Sequence, residues 1–414
     1  MKYNRNLLSY MLGRFISYTG TGIQQIALPL YILDVTHSGI MMGFFSAINL
    51  IPNIVALPFA GILGDRKNRK NVMMVSDYAR GCFVIFLGYF AMRGSLNLAF
   101  LFTVQIFISI MDSIFNASST AILPELVEED KLMNGIAARG GIDAVSMIIG
   151  PALGGIIYGI FGIKVIFYLN GLSFIISGIS CTLINYENKD RKSKALTFKS
   201  FFTENSEVLY FIKKNKALLQ LFSLAMVTNF LVAPLLDIVL PYVMKKEIGF
   251  TSQQYGYLIS FFTFGILIGN ILIATYLVKF SRKFIMKNSL VLQTMILFMF
   301  PVAVFPITVN YLGGHSLKLF MLLTCIMFLG GFFNSGLNTP LNTNLQEIVP
   351  NKMRSRFFSI LGVFGQGAIP LGSVIYGVLL DKFPYYYILI VVMSVVFAVT
   401  LVFMKRAVPE VYEP

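Results

Sequence analysis

The sequence predicts an all-α membrane protein, with twelve transmembrane helices in two six-helix, pseudo-symmetric halves. Composition is the first observation behind this: 56% of the 414 residues are hydrophobic and only 13% charged, against about 25% charged in an average globular chain. Mean hydropathy is +0.75. The second observation is a succession of apolar stretches, each long enough to cross a bilayer. The third is a pattern that returns in the second part of the chain. This composition excludes a disordered, collagenous or disulfide-stapled protein. Net charge is +14 and the isoelectric point about 9.5. The basic residues lie between apolar spans, however, which excludes a nucleic-acid binder. Cys82, Cys181 and Cys325 stand far apart inside apolar segments and suit neither a disulfide framework nor a metal site.

A membrane-crossing helix needs about 20 mostly apolar residues. Twelve stretches qualify: 7–33, 39–63, 71–92, 96–122, 136–160, 163–185, 217–243, 254–278, 285–309, 317–343, 356–380 and 384–404. Lys2 and Arg5 precede a first stretch that is too long for a signal peptide and lacks a small-residue cleavage site, so it reads as a retained helix. Most links are short. The Lys- and Ser-rich segment 186–216 is the exception. It divides an N-terminal half, 1–185, from a C-terminal half, 217–414, that ends in a short tail. Residues 198–212 mix aromatic and charged side chains and form either a helix lying on the membrane surface or a solvated linker.

With the N-terminus inside, 24 of the 33 Lys and Arg fall in cytoplasmic ends and loops, six fall outside, and three (Arg14, Arg80, Arg139) lie within spans. The positive-inside rule then predicts a multi-pass protein of the cell membrane with both termini cytoplasmic. It also accounts for the basic net charge. Trp is absent, so Phe and Tyr must supply any interfacial belt.

The halves resemble each other. Leu126-Val-Glu-Glu-Asp-Lys131 precedes span 5, and Ile348-Val-Pro-Asn-Lys-Met353 precedes span 11, 222 residues later. Gly154-Gly-Ile-Ile-Tyr158-Gly159 matches Gly372-Ser-Val-Ile-Tyr376-Gly377. Leu28-Pro29-Leu30-Tyr31 in span 1 matches Leu240-Pro241-Tyr242 in span 7. Parallel six-helix repeats are one large architecture of secondary transporters, with the binding site expected where the repeats meet.

The most specific local signal is Gly61-Ile-Leu-Gly-Asp65-Arg66-Lys-Asn-Arg69-Lys70, between spans 2 and 3. It resembles the G-x-x-x-D-R-x-[GN]-R-[RK] signature of the major facilitator superfamily. In that reading Gly61 lets helices approach closely, and Asp65 caps or pairs at an inner gate. Arg66, Arg69 and Lys70 either join that gate or only hold the loop inside. The second half has Lys279-Phe-Ser-Arg282-Lys283 here, without an acid. Span 5 carries Gly150-Pro151-Ala-Leu-Gly154-Gly155, similar to the G-P-x-x-G-G motif of the drug-exporting antiporter branches. Its proline bends the helix and its small residues allow tight packing. The stretches 122–134 and 345–359 are similar to the macrolide-efflux type, whose wider group includes siderophore exporters and lysophospholipid flippases. One departure is that the mid-span arginine of many drug/proton antiporters has no match in span 4, where Gln105 lies near its place.

Polar residues inside spans default to functional hypotheses. Span 4 presents Gln105, Ser109, Asp112, Asn116 and Ser119 at spacings of 4, 3, 4 and 3, on one helical face. Span 10 presents Asn334, Asn338 and Asn342, so Asp112 corresponds to Asn334 and Asn116 to Asn338. Span 1 adds Arg14, Tyr18, Thr21 and Gln25, and span 7 adds Asn229 and Asp237. These groups either line a substrate cavity or hydrogen-bond between helices. The resemblance favours a cavity, since helices 1, 4, 7 and 10 line it in that superfamily. Asp112 and Asp237 are the candidate proton carriers, and Arg14 is a candidate cation beside Asp112. Arg139 and Asp143 are expected to pair at i, i+4, and Asp77 and Arg80 either pair at i, i+3 or join a network with Asp65.

The expectation is a monomeric secondary transporter that is not an enzyme. It would export small amphipathic, macrolide-like or drug-like molecules by alternating access, as a proton antiporter. No cofactor or metal is expected, and the proton gradient supplies energy. No G-x-x-x-x-G-K-[ST] appears, which argues against ATP-driven transport by this chain. Partners are the substrate and membrane lipids, with no nucleic acid. A siderophore exporter, a lysophospholipid flippase or a nutrient importer of the same fold stand as alternatives. A membrane enzyme would need a catalytic constellation that the sequence lacks, and a receptor would not need paired polar stripes.

Overall fold

The computed structural model describes residues 2–128, 131–186, 198–350 and 353–413. The first unit holds α1 (Lys2–Thr36), most of α2 (Gly39–Arg66), α3 (Arg69–Met92), α4 (Leu98–Leu126) and α5 (Leu132–Thr182). The second holds α6 (Phe198–Lys214), α7 (Lys216–Leu231), α8 (Ser252–Thr275), α9 (Arg282–Ala303), the short α10 (Pro306–Tyr311), α11 (Leu317–Ile348), α12 (Arg354–Lys382) and α13 (Tyr385–Arg406). His37–Phe44 also belongs to the second unit. There the Ser38 hydroxyl and the Gly39 amide donate to Asp381, at 2.6 and 2.7 Å.

Ten helices among the described residues are long and apolar enough to cross a membrane. α5, at 51 residues, would measure about 76 Å if straight, more than twice the roughly 30 Å hydrocarbon core. It breaks at Gly162, with φ 72° and ψ −174°, a conformation that is essentially glycine's alone. The break gives the two spans that the sequence divides at 160–163. α1 is not among the ten because Gln24, Gln25 and Asp34 dilute its apolar residues. Counting α1 and both limbs of α5 is consistent with twelve. Large apolar side chains stay exposed along the helices; Tyr387, Ile390, Val391, Val395, Leu401 and Val402 do so on α13 alone. Such a surface is unsuited to water and suited to lipid.

Within the first unit α1 packs on α5, and α3 on α4 and α5. The Gly-Pro motif is the contact: a Cβ on Gly154 would stand 2.6 Å from the carbonyl oxygen of Ile23, and one on Gly150 2.9 Å from Cα of Gly22. Within the second unit α7 packs on α12, α8 on α11, and α9 on α11 and α13. Gly372, which matches Gly154 in the repeat, approaches Phe230 on α7 as closely, its Cβ position lying 2.3 Å from the carbonyl oxygen. The same residue type thus joins the equivalent helix pair in each half.

Three expectations change. Span 7 is not one regular helix: α7 ends at Leu231 and continues as π-helical turns over Leu235–Val239 and Tyr242–Ile248. Pro234 and Pro241 remove backbone donors from the ladder, which widens the turns. The helix of span 9 ends at Ala303, short of residue 309, and Pro306 starts the separate α10. The central segment forms α6, whose Val208 and Ile212 are buried in an apolar cluster with Leu218, Leu221 and Phe357. An amphipathic helix with a place to bury its apolar face is favoured over a linker.

Candidate functional site

Two ionic clusters stand out within the spans of the first unit, among the described residues. In one, Arg80 of α3 pairs with Asp77 one turn away and with Asp112 of α4. Ser177 of α5 donates to the second oxygen of Asp77 at 2.6 Å. The rings of Phe115 and Phe174 lie against the guanidinium, each centroid at 4.3 Å. Guanidinium is weakly hydrated and stacks on aromatic faces, which fits it for such a place. The Asp77 side chain is 0% exposed and that of Asp112 21%. With both acids ionised, the cluster carries one uncompensated negative charge. One proton neutralises it, and Asp112 is the acid that solvent can reach.

In the other cluster Arg14 of α1 holds Asp143 of α5 through two bonds, Nε at 2.6 Å and a terminal nitrogen at 2.7 Å. Its other terminal nitrogen donates to Ser119 at 3.2 Å, and the ring of Tyr18 lies 4.5 Å from the guanidinium. This corrects one expectation: Arg14 serves Asp143, and the cation at Asp112 is Arg80. Arg139 also pairs with Asp143, as its spacing predicts, more loosely at 3.8 Å, and donates to Thr120 at 2.9 Å. A bidentate fork from a neighbouring helix outcompetes the same-helix pair in geometry. The Asp77–Arg80 pair forms as the spacing predicts.

The polar stripe of α4 is divided. Gln105 donates to Asn49 of α2 at 2.9 Å, and Ser109 to the same oxygen at 3.3 Å; both are buried. These two hold α4 against α2. Asp112 and Asn116 lie further along, half-buried. On α1, Gln25 is exposed and Tyr18 and Thr21 are half-buried, with the Thr21 hydroxyl donating back to Ser17 at 2.9 Å. In the second unit Asn229 donates to the Gly365 carbonyl at 3.2 Å. Asn338 donates to Asn334 of the same helix at 3.0 Å and remains exposed. Asp237 is exposed on a π-helical turn, the kind of irregularity that recurs at functional sites.

Gly61, Asp65 and Arg66 fall at the end of α2, and their side chains lie outside the described residues. Arg69, the first residue of α3, bonds the Ala121 carbonyl at 2.7 Å and Glu125 at 3.0 Å. Lys70 donates to the Thr182 carbonyl at 2.9 Å. Both cations therefore tie helix ends within the first unit. The second unit repeats this: Arg282, the first residue of α9, forks onto Glu347 of α11. Glu347 stands 222 residues after Glu125, the offset of the internal repeat. Attention to in-span polar residues missed these two acids, although the repeat offset relates them directly. Among the described residues, no group of three or more His, Cys, Asp or Glu is placed to hold a metal ion.

The family profile described as Major Facilitator Superfamily matches residues 10–312 and 223–414. Macrolide efflux protein A of Streptococcus pyogenes is 23% identical over 385 residues, 92% of this chain and 91% of that protein. Multidrug resistance protein 1 of Bacillus subtilis is 22% identical over 404 residues, 93% of each. Among solved structures, the nucleoside transporter NupG superposes with a TM-score of 0.77 at 13% identity, over 97% of this chain and 98% of that one.

Proposed function

The chain belongs to the major facilitator superfamily, and from that premise we propose that it is a proton-coupled exporter of amphipathic small molecules, acting by alternating access. The observation that carries the coupling is the Asp77–Arg80–Asp112 cluster, with its one excess carboxylate on the less buried acid. A proton taken by Asp112 leaves a neutral Arg80–Asp77 pair behind it. That removes a net charge from a low-dielectric site and lowers the cost of moving it during the return step. The second half has Asn334 at the corresponding place, so the fold accepts an amide there and the carboxylate has a separate task. Asp237 is the second candidate, exposed on its π-helical turn.

Similarity to macrolide and multidrug efflux proteins over nine-tenths of the chain supports export of a bulky, largely apolar substrate. Within the first unit, Tyr18, Thr21, Gln25 and Asn116 are exposed or half-buried and are the candidates to hydrogen-bond such a molecule. The 24-to-6 bias of basic residues supports cytoplasmic termini. The test is uptake of a labelled macrolide into inverted vesicles, with and without an imposed pH gradient. Asp112→Asn is expected to retain substrate binding and exchange while losing gradient-driven accumulation. Uphill transport by that variant with unchanged pH dependence refutes the assignment.

A further inference from the structure

A cavity of about 280 Å³ lies within the second unit, where α8, α9 and α11 meet next to the α8–α9 connection. Its wall is almost wholly apolar, with Leu272, Ile273 and Phe332 among the lining residues. Tyr276, Phe284 and Leu292 line it and are also exposed, so they form its mouth. Phe284, Asn288, Leu292, Met295, Met299 and Val302 are all exposed and spaced 4, 4, 3, 4 and 3. They form one face of α9. That face is apolar throughout except for Asn288, and the cavity opens on it.

Two further observations mark the mouth. Asn288 is exposed and has no hydrogen-bond partner among the described residues. An unpartnered amide on a lipid-facing wall is costly unless something polar meets it. Lys279 and Lys283, at the adjoining helix end, are exposed and have no acidic partner among the described residues. Arg282 between them is already engaged by Glu347. Phe280 and Phe284 stack at 5.5 Å beside the lysines, at the level where aromatic side chains meet a headgroup region. Lys283 adjoins Phe284 at the mouth, and Asn288 lines the cavity one turn further along α9.

We propose that this cavity binds an acyl chain of an anionic phospholipid from the leaflet that meets the α8–α9 connection. Lys279 and Lys283 hold its phosphate, and Asn288 donates to a glycerol ester carbonyl. Cations at the helix end, an amide in the wall and an apolar hole are the three features that match the phosphate, ester and chain of such a lipid. A zwitterionic lipid fills the hole equally but gains less from the two lysines.

The test uses the full chain, purified in detergent and stripped of lipid. It is titrated separately with dioleoyl phosphatidylglycerol, dioleoyl phosphatidylcholine and glycerol 3-phosphate, and bound molecules are counted by native mass spectrometry. Phosphatidylglycerol is expected to bind at concentrations on the order of tenfold lower than phosphatidylcholine, with no retention of glycerol 3-phosphate. Lys279→Gln with Lys283→Gln should abolish the preference between the two lipids, Asn288→Leu should weaken both, and Ile273→Phe, which fills the cavity, should remove the tightest binding event. Both lysines are exposed, so their double variant tests the headgroup contact even where Ile273→Phe fails to fold. Equal retention of the two lipids, an unchanged preference in the double lysine variant, or retention of glycerol 3-phosphate equal to that of phosphatidylglycerol would overturn the proposal.

Discussion

Gly154→Ala isolates the contact on which the packing of the first unit depends. The new methyl would lie 2.6 Å from the Ile23 carbonyl oxygen and 3.0 Å from its Cα, where ordinary contact begins at 3.4 Å. Both obstacles are backbone, so no side chain can swing away. α1 and α5 must separate locally by about 0.8 Å, the difference between 2.6 and 3.4 Å. A gap of 0.5–1 Å forfeits roughly a quarter to a half of each dispersion contact along the seam, and overpacking of this kind typically costs about 1–3 kcal/mol. Replacing glycine in a helix interior returns roughly 1 kcal/mol through backbone entropy, whatever the surroundings. Gly141→Ala on the same helix provides the reference, because a Cβ there meets nothing within 4 Å. The steric effect is then the difference between the two variants, expected at about 1–3 kcal/mol. Thermal and denaturant unfolding in detergent, followed by far-UV circular dichroism, reads it. Gly372→Ala, facing the Phe230 carbonyl at 2.3 Å, should behave likewise in the second half. Stability of Gly154→Ala equal to that of Gly141→Ala would refute the close-approach argument.

Other outcomes follow from the buried polar groups. Arg80→Gln leaves Asp77, 0% exposed, without its cation, and is expected to lose about 3–5 kcal/mol, as when one partner of a buried pair is removed. Asp77→Asn added to Arg80→Gln should recover much of that loss, and a double variant no more stable than the single one would contradict the pairing. At the C-terminus, Asn344 is 0% exposed and donates to the carbonyls of Val411 and Tyr412, each at 2.9 Å. Deleting residues 408–414 removes both acceptors and two buried side chains, so it should lower the melting temperature by the equivalent of about 2–5 kcal/mol. A truncated chain that melts with the full-length one would show that the tail is not part of the second unit's core.

The long apolar stretches, the division of 136–160 from 163–185 and the repeat offsets were legible in the sequence, because a helix that crosses a bilayer needs a length set by its thickness; that the division falls at Gly162 was not. The Gly-Pro motif was legible for the same kind of reason, since small residues are what close helix packing requires. The Asp77–Arg80 pair was legible because its partners are one turn apart. Asp112 could be placed on a polar face by period alone, yet period says nothing about what stands opposite. Which arginine meets which acid depends on the neighbours that tertiary packing brings together, and that put Arg80 on Asp112 and Arg14 on Asp143. Gln105 and Ser109 share a helical face with Asp112, but packing against Asn49 of α2 buries them. The division of one stripe into an interhelical lock and a half-buried, ion-paired acid is a property of the assembled helices, because burial is decided by the facing surface and not by the helix that carries the residue.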